Sequence, residues 1–127
     1  MSGAVFDASA VLAMAFNEPG AEQAMIHLAG ARISAVNYSE AGAKLIDKGL
    51  GPEEAFIWLG ALRLEVVPFD TVSAEKAAVL RKDTRARRLS FADRACIGLA
   101  AADGSAAITT DRVWSELDLA CDVKLIR

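Results

Sequence analysis

Short apolar runs alternate along the chain with longer stretches whose apolar residues fall three or four apart. The first pattern reads as buried strand and the second as helix packed on it. Ala4 to Phe6 is predicted as a first strand, followed by a helix from Ser9 to Phe16 that Asn17, Glu18 and Pro19 stop. Pro19 suits the first turn of a second helix, Gly20 to Leu28, with Met25 and Leu28 on its inner face. Ala31 to Val36 reads as the second strand. Asn37 then begins a helix that ends near Gly49, where Lys48-Gly49 is a good C-terminal signal. Pro52, Glu53 and Glu54 open a further helix carrying Phe56, Leu59 and Leu62. Leu64 to Val67 is the predicted third strand, Thr71 to about Arg87 a long helix, and Ser90 to Ala102 another, ending before Asp103-Gly104. Ala106 to Thr109 is the fourth strand, Asp111 to Leu117 a short helix, and Val123 to Ile126 the last strand.

Strands and helices in alternation imply a three-layer α/β/α architecture with a mostly parallel central sheet. Right-handed crossovers point the C-terminal ends of parallel strands the same way, and ligands bind at that edge. The 127 residues are enough for one domain, spanning 1–127, with a core of its own. Hydrophobic residues make up 54% of the chain, much of it alanine, which favours helices packed closely on a flat layer. The net charge of −3 excludes a coat that grips nucleic acid by bulk charge, so local clustering has to decide. Cys96 and Cys121 form no zinc spacing and read as two reduced, mostly buried thiols. The N-terminus lacks a basic region and Asp7 interrupts its apolar stretch, which argues against a signal peptide. No apolar run is long enough to span a bilayer, so a soluble cytoplasmic protein is expected.

Candidate chemistry lies in four acids beside apolar stretches: Asp7, Glu40, Asp93 and Asp111. Each also has a reading as a cap. Asp7 and Asp111 suit helix N-caps, and Asn37 to Glu40 and Ser90 to Asp93 have the form of capping boxes. A cap, however, serves only its own helix. Asp7, Glu40 and Asp111 follow separate predicted strands, so a parallel sheet gathers them at one edge, while Asp93 starts a helix that would fold over it. A pocket of like charges calls for a cation, and all-oxygen ligands select a hard one, Mg²⁺ or Mn²⁺. His27, the one histidine, sits on a helix away from these motifs, which leaves no Ser-His or Cys-His dyad at the site.

The order of these motifs resembles the PIN-domain family of metal-dependent ribonucleases, and within it the small VapC-type toxins of toxin–antitoxin pairs. Asp7-Ala8-Ser9 looks like the family's opening motif, and Glu40 takes the place of its glutamate. Leu89 to Asp93, followed by Ala95, Ile97, Ala100 and Ala101, is similar to its third motif, and Thr109-Thr110-Asp111 to its fourth. The resemblance spans almost the whole chain. Where some relatives place a further acid after the fourth aspartate, this chain has Trp114 and then Glu116, so one metal or two stays open.

The resemblance implies hydrolysis of RNA phosphodiester bonds, with Asp7, Glu40, Asp93 and Asp111 as metal and catalytic residues. Ser9 and Thr109 would orient carboxylates or water, or else bond the backbone locally. Arg81, Lys82, Arg85, Arg87, Arg88 and Arg94 crowd the stretch leading to Asp93, and Arg112 follows Asp111. They form either a solvated face or a rim that grips phosphate; Arg85, Arg87, Arg88, Arg94 and Arg112 are the candidate RNA contacts. Aromatic residues are few, which disfavours an extensive base-stacking platform. Surplus apolar bulk around Met14, Phe16, Met25, Ile26 and Phe56 to Leu59 has room for a partner. The resemblance implies a homodimer, and a small antitoxin that covers the active site and places an arginine among the carboxylates. Two other readings remain: a catalytically inactive PIN-like binding module, and an α/β domain working through an aspartyl phosphate. The second lacks the expected neighbouring acids, since Ser9 stands two residues after Asp7.

Overall fold

Five short strands run parallel in the computed structural model, which describes residues 3–84 and 89–127. In chain order they are β1 (Ala4–Phe6), β2 (Arg32–Ser34), β3 (Glu65–Val67), β4 (Ala106–Thr109) and β5 (Val123–Leu125). The helices are α1 (Ala8–Ala15), α2 (Ala21–Ile26), α3 (Ala35–Asp47), α4 (Pro52–Ala61), α5 (Thr71–Thr84) and α6 (Phe91–Asp103), with a 3-10 segment at Arg112–Glu116. The strand order is β3-β2-β1-β4-β5, and every described pair is parallel. The chain builds leftward from β1 through β2 to β3, then crosses to β4 on the other side. The sheet therefore has its switch point between β1 and β4, where open α/β sheets bind their ligands.

The two-residue period of the strands sorts side chains between the faces. Phe6, Ile33 and Ile108 join α1, α3 and α4 in one buried cluster, whereas Val5 and Ala107 join Cys96, Ile97, Ala100 and Trp114 in the other. Small residues let the layers approach closely. Gly42 of α3 is the clearest case, because a Cβ there would come within 2.8 Å of the Phe56 ring on α4. Gly20 is required twice over: its φ is +101°, and a Cβ would meet the Ile126 carbonyl oxygen at 2.6 Å.

The predicted elements all appear, with shifted ends. The main difference is at β2, which stops at Ser34, so Ala35 and Val36 are helical. The Ser34 hydroxyl accepts from the Val36 N–H at 3.2 Å and caps α3. The capping box expected at Asn37 is thus absent. Asn37 lies inside the helix, fully buried, and its Nδ2 donates to the Ala92 carbonyl at 3.0 Å. That bond ties the first turn of α3 to the first turn of α6. Helix α2 is shorter than predicted at both ends, and the last strand ends at Leu125 with Ile126 buried beyond it. Of the predicted Thr71–Arg87 helix, Arg85 lies outside the described residues with its neighbours 86–88. Cys96 is a buried free thiol and Cys121 a half-buried one, as expected. Among the described residues no helix is long and apolar enough to cross a membrane.

Candidate active site

Asp7 follows β1 directly and its neighbour across the switch point is Thr109, the last residue of β4. Its backbone N–H continues the strand pairing, donating to the Ile108 carbonyl at 3.1 Å. The side chain is buried and accepts three hydrogen bonds. Oδ1 takes the Ala10 N–H at 2.9 Å, the N-cap expected from sequence, and the Ser9 hydroxyl at 2.7 Å. Oδ2 takes the Thr109 hydroxyl at 2.5 Å.

Both hydroxyls are also held by backbone donors. Ser9 Oγ accepts from the Thr110 N–H at 3.0 Å, and Thr109 Oγ1 from the Asp111 N–H at 3.1 Å. A backbone N–H can only donate, which leaves each hydroxyl's own proton for Asp7, with the other hydroxyl, 3.4 Å away, as the alternative acceptor. Both residues thereby join the β4–Asp111 turn to the Asp7 carboxylate. Burial nevertheless outweighs these bonds and raises the Asp7 pKa to about 6, with the Asp93 charge adding to the rise.

Asp93 stands in the first turn of α6 in a reciprocal capping box. Its N–H donates to Ser90 Oγ at 3.1 Å, and its Oδ2 accepts the Ser90 N–H at 3.0 Å. Burial raises its pKa as well; the Asp111 charge acts in the same direction and Lys44 against it. Asp111 caps the 3-10 segment through Oδ1, which accepts the Val113 N–H at 3.0 Å. Capping leaves Asp93 Oδ1 and Asp111 Oδ2 without a hydrogen-bond partner among the described residues. Glu40 sits beyond the first turn of α3, half-exposed, and pairs with Lys44 at 3.9 Å. The four acids share one field: Asp7, Asp93 and Glu40 all help push up the buried Cys96 thiol, and Asp111 acts on Asp93. Three of the acids are therefore caps and members of a common acidic edge at once.

Among the described residues, no three His, Cys, Asp or Glu side chains are grouped to hold a metal ion directly. The oxygen-only donors and open carboxylate oxygens suit a hard cation that keeps much of its water, as Mg²⁺ does. Asp93 Oδ1 and Asp111 Oδ2 are the carboxylate oxygens left by capping to meet such an ion, directly or through water.

Of the basic candidates, Arg94 and Arg112 lie among the described residues. Arg94 Nη1 donates to the Ala77 carbonyl at 3.0 Å, which engages it in bracing α6 to α5. Arg112 is exposed beside Asp111, while Arg85, Arg87 and Arg88 lie outside the described residues. Glu116 is exposed on the 3-10 segment, and His27 is half-buried in the loop after α2. Sequence reasoning missed Lys44, although its i,i+4 spacing from Glu40 was a readable signal.

The PIN-domain family pattern matches residues 4–119, the span that contains every element of this edge. The chain belongs to the PIN-domain family. Among solved structures, the PIN-domain chain resembles DNA-bound VapBC from Salmonella typhimurium, with a TM-score of 0.77, 17% identity and complete coverage of both chains. It also resembles a toxin–antitoxin complex from Klebsiella pneumoniae, with a TM-score of 0.77, 16% identity and 98% of each chain covered. VapBC-5 from Mycobacterium tuberculosis is similar at a TM-score of 0.64 and 20% identity, covering 100% of this chain and 99% of that one. At these identities the likeness shows the fold. No curated protein matches the sequence significantly.

The hydroxyls make a specific demand on this PIN domain. Thr109→Val removes a bond that holds Asp7 charged and leaves the Asp111 N–H without its acceptor. For a divalent ion held through Asp7, Mn²⁺ affinity is expected to fall by about 10–100-fold, the usual range for a group that orients such a ligand. Titrating wild type and Thr109→Val with Mn²⁺ checks this; equal affinities would make the threonine structural only.

Proposed function

We infer that this PIN domain is a divalent-metal-dependent endoribonuclease, the toxin of a VapBC-like toxin–antitoxin pair. The observation that carries the reading is the shared acidic edge at the β1/β4 switch point, with Asp7 buried beneath it. Asp7, Glu40, Asp93 and Asp111 are the proposed catalytic and metal-holding residues, direct or through water, and Ser9 and Thr109 orient Asp7. Mg²⁺ or Mn²⁺, when bound, supplies a water of lowered pKa and neutralises charge on the phosphate under attack.

The chain's own residues supply the frame for that hydrolysis. Asp7 is held immobile by three donors, so it presents a fixed negative charge at the floor of the edge. Asp93 and Asp111 contribute their uncapped oxygens to the same edge, to orient a water or accept its proton. Arg112 is exposed at the rim, where it can meet an RNA phosphate.

An antitoxin partner is supported by the likeness to VapBC complexes and by apolar residues left in solvent. Ile57 is 73% exposed, Ile26 69% and Met25 62%. An antitoxin arginine laid among the carboxylates would supply the positive charge they lack. A homodimer is part of the same proposal.

The deciding experiment incubates purified, partner-free protein with total RNA in Mg²⁺, Mn²⁺ or EDTA, beside Asp93→Asn. Cleavage by wild type in either metal, abolished by EDTA and by Asp93→Asn, is expected. No cleavage under any condition would favour an inactive binding module.

A further inference from the structure

Asn37 stands apart among the buried side chains. It lies in the first turn of α3, although asparagine is a weak helix former, and it is only 1% exposed. Its Nδ2 donates to the Ala92 carbonyl at 3.0 Å, and among the described residues this is the hydrogen bond that joins α3 to α6. Its Oδ1 is buried and has no partner among the described residues. A buried orphan acceptor is destabilising, so the amide is a poor choice for packing alone.

The bond lands on one particular peptide. The Ala92 carbonyl already accepts a ladder bond within α6, so it does not need Asn37 for its own satisfaction. The N–H of the same peptide is that of Asp93, and it donates to Ser90 Oγ at 3.1 Å. The Ala92–Asp93 peptide is thus gripped from both sides, by α3 through its oxygen and by Ser90 through its nitrogen. Glu40 lies one turn further along α3 from Asn37. Lys44, which pairs with Glu40, is near enough for its charge to act on Asp93. Elsewhere the two helices are braced to different neighbours. Gly42 of α3 packs on Phe56 of α4, and Arg94 of α6 holds the Ala77 carbonyl of α5.

We propose that Asn37 is a positioning residue, which sets the spacing between Glu40 and Asp93 by clamping the peptide that carries Asp93. The proposal rests on the metal-dependent reading of the acidic edge and adds to it a residue that never touches the ion. Two carboxylates on separate helices serve one hydrated cation only if their separation is held. Supporting groups one step removed from the ion are what hold such ligands. The orphan oxygen is the penalty that comes with the clamp. Removing the amide therefore harms ion binding more than it harms stability.

The test uses the whole chain, partner-free, with two substitutions. Asn37→Leu keeps the branched shape and removes donor and orphan together, and Asn37→Ala removes both without adding volume. Thr84→Val, which deletes a buried hydroxyl-to-carbonyl bond within α5, is the control. The measurements are the urea midpoint without metal, the Asp93 amide proton resonance in isotope-labelled protein, and Mn²⁺ affinity by electron paramagnetic resonance. Asn37→Leu is expected to unfold at the wild-type midpoint or above it, because no orphan acceptor remains. In both Asn37 variants the Asp93 amide proton is expected to move upfield, since a carbonyl relieved of one hydrogen bond polarises its own peptide N–H less. Mn²⁺ affinity is expected to fall about tenfold, the lower end of the range for groups that orient a metal ligand. Thr84→Val is expected to move neither the resonance nor the affinity.

Asn37 variants that bind Mn²⁺ as tightly as a saturably binding wild type would overturn the positioning role and leave the metal reading intact. Weakened binding with an unmoved Asp93 amide would also overturn it. Failure of both variants to fold would do the same, by making Asn37 a structural tie. If wild type itself binds no Mn²⁺, the metal reading falls and takes this proposal with it.

Discussion

Asp7→Asn is expected to leave the chain folded and to remove the RNA cleavage proposed for it. Asparagine is as good an N-cap as aspartate, so the bond to Ala10 N–H has a replacement acceptor. The hydroxyl facing the amide oxygen keeps its acceptor, and the one facing the amide NH₂ turns to accept from it. The negative charge at the floor of the edge is lost. Loss of a group that acts directly on the reacting water or its metal costs on the order of 10²–10⁴-fold. The rate with Mg²⁺ should therefore fall by more than it does for Thr109→Val, which acts only through Asp7. Single-turnover cleavage of a labelled RNA, with circular dichroism to confirm folding, separates the two variants. A folded Asp7→Asn protein that cleaves at the wild-type rate would remove Asp7 from the reaction.

The second large effect is on stability. Asp7 titrates near 3.8 in an unfolded chain and near 6 in the folded one. Below the lower value it is protonated in both states and contributes no penalty. Between the two values the unfolded state gives up its proton first, so stability falls as pH rises through that window and levels off above it. The difference corresponds to roughly 3 kcal/mol of lost stability at neutral pH, an order-of-magnitude figure. Asp7→Asn removes the titrating group, so the metal-free wild type should lose stability relative to this variant between about pH 4 and pH 7. A divalent cation should restore much of it near pH 7, because an ion that binds the folded state stabilises by mass action. Urea unfolding of both proteins at the two pH values, with and without Mg²⁺, reads the effect. Parallel pH profiles would show that Asp7 titrates normally.

Much of this edge is legible in the sequence because it depends on local rules. The apolar runs at 4–6 and 106–109 are too short and too apolar for anything but buried strands, and the polar residue that follows each one must lie at the sheet edge. Capping rules locate Asp7, Asp93 and Asp111, and all three make the expected backbone bonds. Glu40 is less legible. Ala35 and Val36 extend the apolar run of β2, yet the Ser34 hydroxyl caps the helix three residues before Asn37. Strand and helix compete there for the same residues, and a tertiary contact, Asn37 to the Ala92 carbonyl, favours the helix.

Long-range pairing was the other hidden component. Nothing near Ser9 in the chain reveals that its hydroxyl will accept from Thr110, roughly a hundred residues away. Arg94 reads as a free cation beside Asp93, and only the packing of α5 on α6 shows it bound to Ala77. The cleft that Lys44, Lys48 and Arg127 line together is likewise invisible in sequence, because it forms only when the C-terminal segment settles against Gly20.

The proposed function requires that this acidic edge hold a divalent cation. Mn²⁺ titration of the partner-free protein, followed by electron paramagnetic resonance of the free ion, tests it most directly. Saturable binding by wild type, strongly weakened in both Asp7→Asn and Asp93→Asn, is the expected result. No binding by wild type, or equal binding by all three proteins, would contradict it.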